Sequence, residues 1–367
     1  MNVDGLATLA TRKVYHPRPR AVCGAHPTKN DGILRLRADD LFDDLPRTTS
    51  AGPEPVLSPA GRIRVEYREP AGLQDDVLCV IHSGGYAGAA PLSIDVRLQR
   101  LGGPTAEIWH AHGPVRAGRD GIVRYVHDDE LLIAVVEEDE RAYGGIRSTA
   151  ETIYATIRKF QEQCGFPHLL RMWNYLDAIN EGDGDAERYR QFCVGRALGL
   201  GRPNGQRLPA ATAIGRQHAT HQVQVFWIAG RLGGIAIENP RQVSAYHYPR
   251  THGPMSPTFS RAMVAPDHTV LVSGTASIVG HVSQHEGDAQ GQLAETLRNL
   301  VAVTSHAGVR RDAAHRQDLV KVYVRDPTLV PLIAAQLQEA YPGATPIFLA
   351  GDVCRRELLM EIEYIAS

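Results

Sequence analysis

Nowhere in the 367 residues does an apolar run approach the roughly 20 residues that a membrane-crossing helix needs. The opening Met1-Asn-Val-Asp-Gly carries an acid and a glycine where a secretory leader would carry a basic stretch and then an apolar one. A charge excess is missing too: 39 Lys and Arg stand against 41 Asp and Glu, a net −2, with a pI near 6.8. That balance argues against a nucleic-acid or membrane-surface protein, which would usually be strongly basic. Cysteine is scarce and scattered. Cys23, Cys79, Cys164, Cys193 and Cys354 are odd in number and contain no C-x-x-C, so there is neither a disulfide framework nor a zinc pattern. His218 and His221, three apart, and His247 and His252, five apart, do not have metal-ligand spacing on a strand. Gly195 to Gly205 is glycine-rich without the strand-then-helix setting of a dinucleotide loop. The expectation is a soluble cytoplasmic protein without metal or cofactor, acting on neither nucleic acid nor membrane.

A hydrophobic content of 43% is enough to bury a large core, as two domains or one fused unit. Residues 1 to about 60, rich in Arg, Pro, Gly and Asp, read as an irregular segment packed on later structure. Arg62 to Tyr67 and Val77 to Ile81 read as strands. From Ala106 strands follow in succession: Ala106–His110, Gly121–Val126 and Glu130–Glu137. Ile153, Ile157, Phe160 and Cys164 then keep one helical face that Gly165 ends. His168–Tyr175 is a strand, Glu187–Leu198 a helix, and Pro209–Gly215 and Gln222–Ile228 are strands.

The same order then recurs. A strand at Thr269–Gly274 leads to a helix marked by Leu293, Leu297, Leu300 and Thr304, with Gly308 in the place of Gly165. The strand Leu319–Val324 aligns with Leu169–Asn174, matching Lys321 to Arg171, and a helix at 330–341 and a strand at 346–350 follow. This is α-β-α-β-β used twice: an α+β fold whose crossover helices cover one face of each mixed sheet, leaving the other faces free to meet. The expected organisation is 1–105 as an N-terminal segment, 106–235 as the first half and 236–367 as the second.

The last seventeen residues, from Gly351 to Ser367, read as one final strand that carries a thiol, Cys354, and two acids, Glu361 and Glu363. Alternation puts Leu359, Glu361, Glu363 and Ile365 on one face, and Met360, Ile362 and Tyr364 on the other. Spacing alone fits solvated acids on an open sheet face.

Two resemblances bear on that strand. The second half, through Val272-Ser-Gly274, Gln292–Leu300, Val320-Lys-Val-Tyr-Val-Arg-Asp326 and Glu361-Ile-Glu-Tyr-Ile-Ala366, resembles the RidA/YjgF family. Many of its members deaminate imines with an arginine just after the proline that opens the penultimate strand. Here Ile347 follows Pro346, which argues against that activity. Met172-Trp-Asn-Tyr-Leu176, Glu187-Arg-Tyr-Arg-Gln-Phe-Cys-Val-Gly-Arg196, Glu238 to Arg250, Ser256–Arg261, Ser273–Ser277 and Gly351-Asp-Val-Cys354 resemble the chorismatase family, whose core is itself RidA-like. The two together imply two fused RidA/YjgF-like halves with the site between them, and a chain that works as a monomer.

The resemblance implies an enzyme that removes the enolpyruvyl group of chorismate as pyruvate. Chorismate's two carboxylates call for guanidinium groups, and its oxygens for phenols. Arg190, Arg196 and Tyr189 on one short helix are candidates, with the two arginines unranked, although 188, 192 and 196 share a face and Arg190 points elsewhere. Alternation puts Tyr246 and Tyr248 on one side, and the resemblance favours Tyr246. Arg261 and Ala276 complete the implied substrate positions. Cleaving an enol ether requires a proton on the vinyl carbon, hence a carboxyl group kept protonated in a partly apolar site. Glu361 matches the family's catalytic glutamate, and Glu363 is left a structural role. A thiol at Cys354 resembles the branch that aromatises the ring to 3-hydroxybenzoate. The alternatives are the branch that hydrolyses chorismate to a dihydroxycyclohexadiene carboxylate, a synthase of both 3- and 4-hydroxybenzoate, and a RidA-like protein that only binds metabolites.

Overall fold

The computed structural model describes residues 63–201, 207–218, 220–309 and 318–366. The expected irregular segment over residues 1 to about 60 lies outside them. The chain first forms β1 (Arg64–Arg68), β2 (Val77–His82), β3 (Ser93–Asp95), β4 (Arg100–Gly102) and β5 (Ala106–His110). Next come β6 (Arg116–Asp120), β7 (Val123–His127), β8 (Leu131–Asp139), α1 (Ile146–Gln163), β9 (His168–Asp177), α2 (Arg188–Leu200), β10 (Ala210–Arg216) and β11 (Gln222–Gly230). After β12 (Ile235–Ile237), β13 (Ala262–Val264), β14 (Val270–Thr275), and a small hairpin of β15 (Ile278–Val279) and β16 (Val282–Ser283), the pattern returns. It runs α3 (Ala289–His306), β17 (Asp318–Val324), α4 (Val330–Ala340), β18 (Ile347–Ala350), β19 (Asp352–Val353) and β20 (Met360–Ala366).

The fold is α+β, and the repeat is visible in its strand order. One seven-stranded sheet runs β19-β10-β9-β11-β8-β7-β6, and the other, read from its far edge, runs β4-β18-β17-β20-β14-β13-β12. Within each, the strand after the first helix pairs parallel with the strand after the second, β9 with β10 and β17 with β18. Register makes the equivalence residue by residue. Phe226 and Ile228 of β11 lie opposite Trp173 and Arg171; Glu361 and Glu363 of β20 lie opposite Tyr323 and Lys321.

The layering follows from which side chains are apolar. One face of the first sheet buries Ile153, Ile157 and Phe160 of α1 against Met172 and Trp227. One face of the second buries Leu293, Leu297 and Leu300 of α3 against Val320 and Ile362. The remaining faces meet each other, with Trp173, Ile214 and Phe226 packed with Leu271, Tyr323 and Ile365. Gly165 and Gly308, expected to end helices, follow α1 and α3 at φ 79° and 80°, in the left-handed region that glycine adopts without strain. Gly195 and Gly199 let α2 lie directly against α1, since a Cβ at either would strike that helix. The glycine-rich stretch is therefore a packing feature along part of its length.

Three expectations are corrected. Ala106–His110 does not open the first seven-stranded sheet; it pairs with β1 and β2 in a separate four-stranded sheet of order β1-β5-β2-β3. The closing seventeen residues are not one strand. Asp352–Val353 joins the edge of the first sheet, Met360–Ala366 lies inside the second, and residues 354–359 form the loop that crosses between them. Arg325 fixes this crossing by donating to the carbonyls of Val353, Arg355 and Leu358 while pairing with Asp352 at 2.7 Å. Finally, Glu361 and Glu363 are not on an open face, because the first sheet covers them.

Candidate active site

A cavity of about 320 Å³ opens where the two halves meet, within the size range of small-molecule sites. The first half supplies Tyr189, Arg190 and Arg196 from α2, and Ala211–Ala213 from β10. The second supplies Phe259 and Arg261 before β13, Gly274 of β14, Ala276 beyond it, Cys354 and Arg355 of the crossing loop, and Glu361 of β20. Seven of the eight site residues named from the sequence, all except Tyr246, therefore border one space.

Tyr248 lines the cavity in place of Tyr246. Ala245–His247 is a 3₁₀ turn, so the alternation of a strand does not hold there and the two phenols diverge. Tyr246 packs on the ring of His247 instead, with centroids 4.5 Å apart. Helix α2 likewise divides its arginines. Arg188 turns away to Glu140 at 2.9 Å, whereas Arg190, ion-paired with Glu187 at 3.1 Å, borders the cavity with Arg196.

Three guanidinium groups at the cavity are held but not saturated. Arg196 donates to the Thr258 carbonyl at 2.7 Å and lies over the Tyr154 ring. Arg261 donates to the Val243 carbonyl at 3.0 Å and the Tyr248 hydroxyl at 2.7 Å, against the ring of Phe259. Arg355 donates to the His281 carbonyl and to Ser283 Oγ, both at 3.0 Å. Nε of Arg196, Nε of Arg261 and Nη2 of Arg355 are buried without an acceptor among the described residues. A buried, unpaired cationic N–H is costly, and an anionic ligand would satisfy it. The geometry thus calls for carboxylate groups in the cavity.

Glu361 is 5% exposed, and its carboxyl lies against Gly274 so closely that any Cβ there would collide with it. Burial, and then the charge of Glu363, push it up to about 8 against the pull of Arg171 and Arg261, so it is protonated at neutral pH. Cys354 packs with Ala276, Ile278 and Val353. Burial, followed by the charge of Glu361, drives its thiol far above the usual cysteine range, leaving it a neutral sulfhydryl. His252, also lining the cavity, meets His281 at 3.1 Å. Burial, with Arg355 and His281 nearby, lowers it to about 4, so it too is neutral.

Behind this lining is a charged layer that sequence reasoning missed. Glu363 pairs with Arg171 at 3.0 Å and Lys321 at 3.6 Å, and accepts from Trp173 Nε1 at 2.9 Å and the Tyr323 hydroxyl at 3.0 Å. Thr212 Oγ1 accepts from Arg171 at 2.6 Å and from the Gly274 amide at 2.9 Å, joining this layer to the glycine beneath Glu361. The one available signal was the alignment of Arg171 with Lys321, two cations at equivalent places in the repeat. Among the described residues, no group of His, Cys, Asp and Glu is arranged to hold a metal ion, and no helix is long and apolar enough to cross a membrane.

Comparison with known proteins agrees with this geometry. The family model described as "Chorismatase FkbO/Hyg5-like, N-terminal" matches residues 107–229. A 3-hydroxybenzoate synthase of Streptomyces hygroscopicus is 37% identical over 279 residues, covering 71% of this chain and 81% of the relative. A chorismatase of Streptomyces rapamycinicus is 35% identical over 280 residues, covering 71% and 82%. A chorismatase crystal structure superposes with a TM-score of 0.69 at 30% identity, over 83% of this chain and 98% of that one. With relatives this similar along most of their length, the chain belongs to the chorismatase family.

Proposed function

We propose that this protein converts chorismate to 3-hydroxybenzoate and pyruvate. The observation that carries the reading is Glu361: a buried carboxyl, protonated at neutral pH, facing a cavity whose buried arginines await anions. Protonation of the vinyl carbon by Glu361 turns the enol ether into an oxocarbenium-like group, the step for which a strong, placed acid is needed. The ring's own hydroxyl oxygen then gives up its proton and bonds to the neighbouring ring carbon as the ether C–O bond breaks, which releases the three-carbon unit as pyruvate and leaves an oxygen bridging two ring carbons. The older of the two bridging C–O bonds then breaks; a ring C–H proton is lost, the oxygen is protonated and the ring aromatises, so that the net proton released is the hydroxyl's, which reloads Glu361. Chorismate supplies every atom of both products, so no water is consumed.

On this reading Arg196 and Arg261, with Arg190, hold the two carboxylates; all three, with Tyr189 and Tyr248, border the same space. Cys354, neutral and packed beside Ala276, is read as the mark of the aromatising branch. The test is incubation with chorismate and identification of the ring product. The expected result is 3-hydroxybenzoate with one pyruvate per ring. A diene diol as the sole ring product would overturn the branch, and the absence of pyruvate would overturn the enzymatic reading altogether.

A further inference from the structure

The two acids of β20 share a strand face and are held in opposite ways. Among the described residues no hydrogen bond or ion pair ties down the Glu361 carboxyl, while Glu363 has a contact on every side. Glu363 collects Arg171 and Lys321, one from each half, together with Trp173 and Tyr323, and a hydrogen bond from Thr212. Burial opposes its ionisation, but Arg171 and Lys321, together with the hydrogen bonds from Thr212 and Trp173, outweigh that and keep it below the ordinary glutamate range. Lys321 is shared with Glu107 of β5 at 2.5 Å, so the layer reaches the four-stranded sheet.

We propose that Glu363 is a positioning residue for Glu361: clamped as a carboxylate from both halves, it is the fixed negative charge that, added to burial, keeps the neighbouring acid loaded with its proton. Residues two apart on a strand face are about 7 Å from one another, near enough for strong repulsion between like charges where water is excluded. This rests on Glu361 being the proton donor.

The other charged groups facing Glu361 pull the opposite way or are neutral. Arg171 of β9 and Arg261 before β13 favour its ionised form, and Cys354 of the crossing loop is an uncharged thiol. Further round, the cavity is bordered by Arg190, Arg196 and the acid Glu187, and by Arg355, Arg356 and the acid Glu357 of the crossing loop, so that cations outnumber acids there as well. Without Glu363 the neighbourhood of Glu361 is therefore net cationic, and its proton leaves at lower pH.

The measurement is the pH dependence of kcat for pyruvate release. Activity needs protonated Glu361, so it is present below about pH 8 and falls above it. In Glu363→Gln the falling limb moves at least one pH unit lower, whereas Glu363→Asp, which keeps the charge, leaves the limb in place even if the rate drops. A role confined to holding the sheets together would lower stability and rate without moving the limb, so a folded Glu363→Gln with an unmoved limb overturns the proposal. Should Glu363→Gln not fold, Glu363→Gln/Lys321→Gln/Glu107→Gln removes the buried lysine together with both acids it pairs with and carries the same expectation. Infrared difference against Glu361→Gln reads the Glu361 proton directly: its protonated-carboxyl band is lost near pH 8 in the unaltered protein and at least one pH unit lower once Glu363 is neutral, and the same midpoint in both overturns the proposal. An active Glu361→Gln takes down the donor reading itself; an inactive one with an unmoved limb in Glu363→Gln takes down only this inference.

Discussion

Strands β11 and β20 hold the same place in the two halves and do opposite things with it. Phe226 and Ile228 face the same inter-sheet layer from β11 that Glu361 and Glu363 face from β20, at matching register. On the first side the layer is closed by stacking: Phe226 lies 4.8 Å from Trp173 with the rings 13° apart. On the second it is closed by charge. The cations, however, come from both halves, because Arg171 and Lys321 are themselves equivalent and both reach Glu363. A buried carboxylate is tolerable only with such partners. The second half supplies both acids and one of the two cations, Lys321, and the first half supplies the other, Arg171. The cavity lies between the halves, and its acid, Glu361, comes from the second.

Making β20 as neutral as β11 is the most severe way to remove the difference. Glu361→Gln retains the shape of the carboxyl but has no acidic proton. Turnover of chorismate is expected to fall by roughly 10²–10⁴-fold, the usual contribution of a general acid, while chorismate still binds by calorimetry. A variant within a few-fold of the native rate would show that Glu361 is not the donor.

The converse change imposes the second half on the first. Phe226→Glu puts a carboxyl where the stack on Trp173 had been, with Arg171 already committed to Glu363 and Thr212. The expected loss is about 3–5 kcal/mol, from the missing ring and the unpaired charge together, read as a lower urea midpoint. Unchanged stability would mean that the inner face accepts acids from either side, and the asymmetry would then need another cause.

This contrast also marks how far the sequence could be read. Alternation put Glu361 and Glu363 on one face, and the repeat matched Lys321 to Arg171, because both rest on local periodicity. Periodicity does not say what covers a face. The solvated reading of the acids failed because Trp173, which donates to Glu363, lies 190 residues away in the chain. Alternation puts Tyr246 and Tyr248 on one side and only the resemblance favours Tyr246; a 3₁₀ turn in place of a strand is what parts the two, and periodicity does not show it. The closing stretch was read as one strand because Asp352–Val353 and Met360–Ala366 are each extended. Only the long-range contacts of Arg325 show that a sheet is changed between them.

The smallest expected effect comes from making the two cations identical. Arg171→Lys keeps a positive charge beside Glu363 but gives up the fork that reaches Glu363, Thr212 and the Met172 carbonyl at once, as well as the stacking of a flat guanidinium on Trp173. A lysine ammonium is a compact point charge and cannot replace those directions. The cost should be about 1–2 kcal/mol of stability, in line with one or two lost buried hydrogen bonds. The alkaline limb of the rate profile should stay where it is, since the charge facing Glu361 is unchanged. A limb that moved by a full pH unit would mean that the direction of the Arg171 hydrogen bonds, and not the balance of charge between the halves, sets the proton affinity of Glu361.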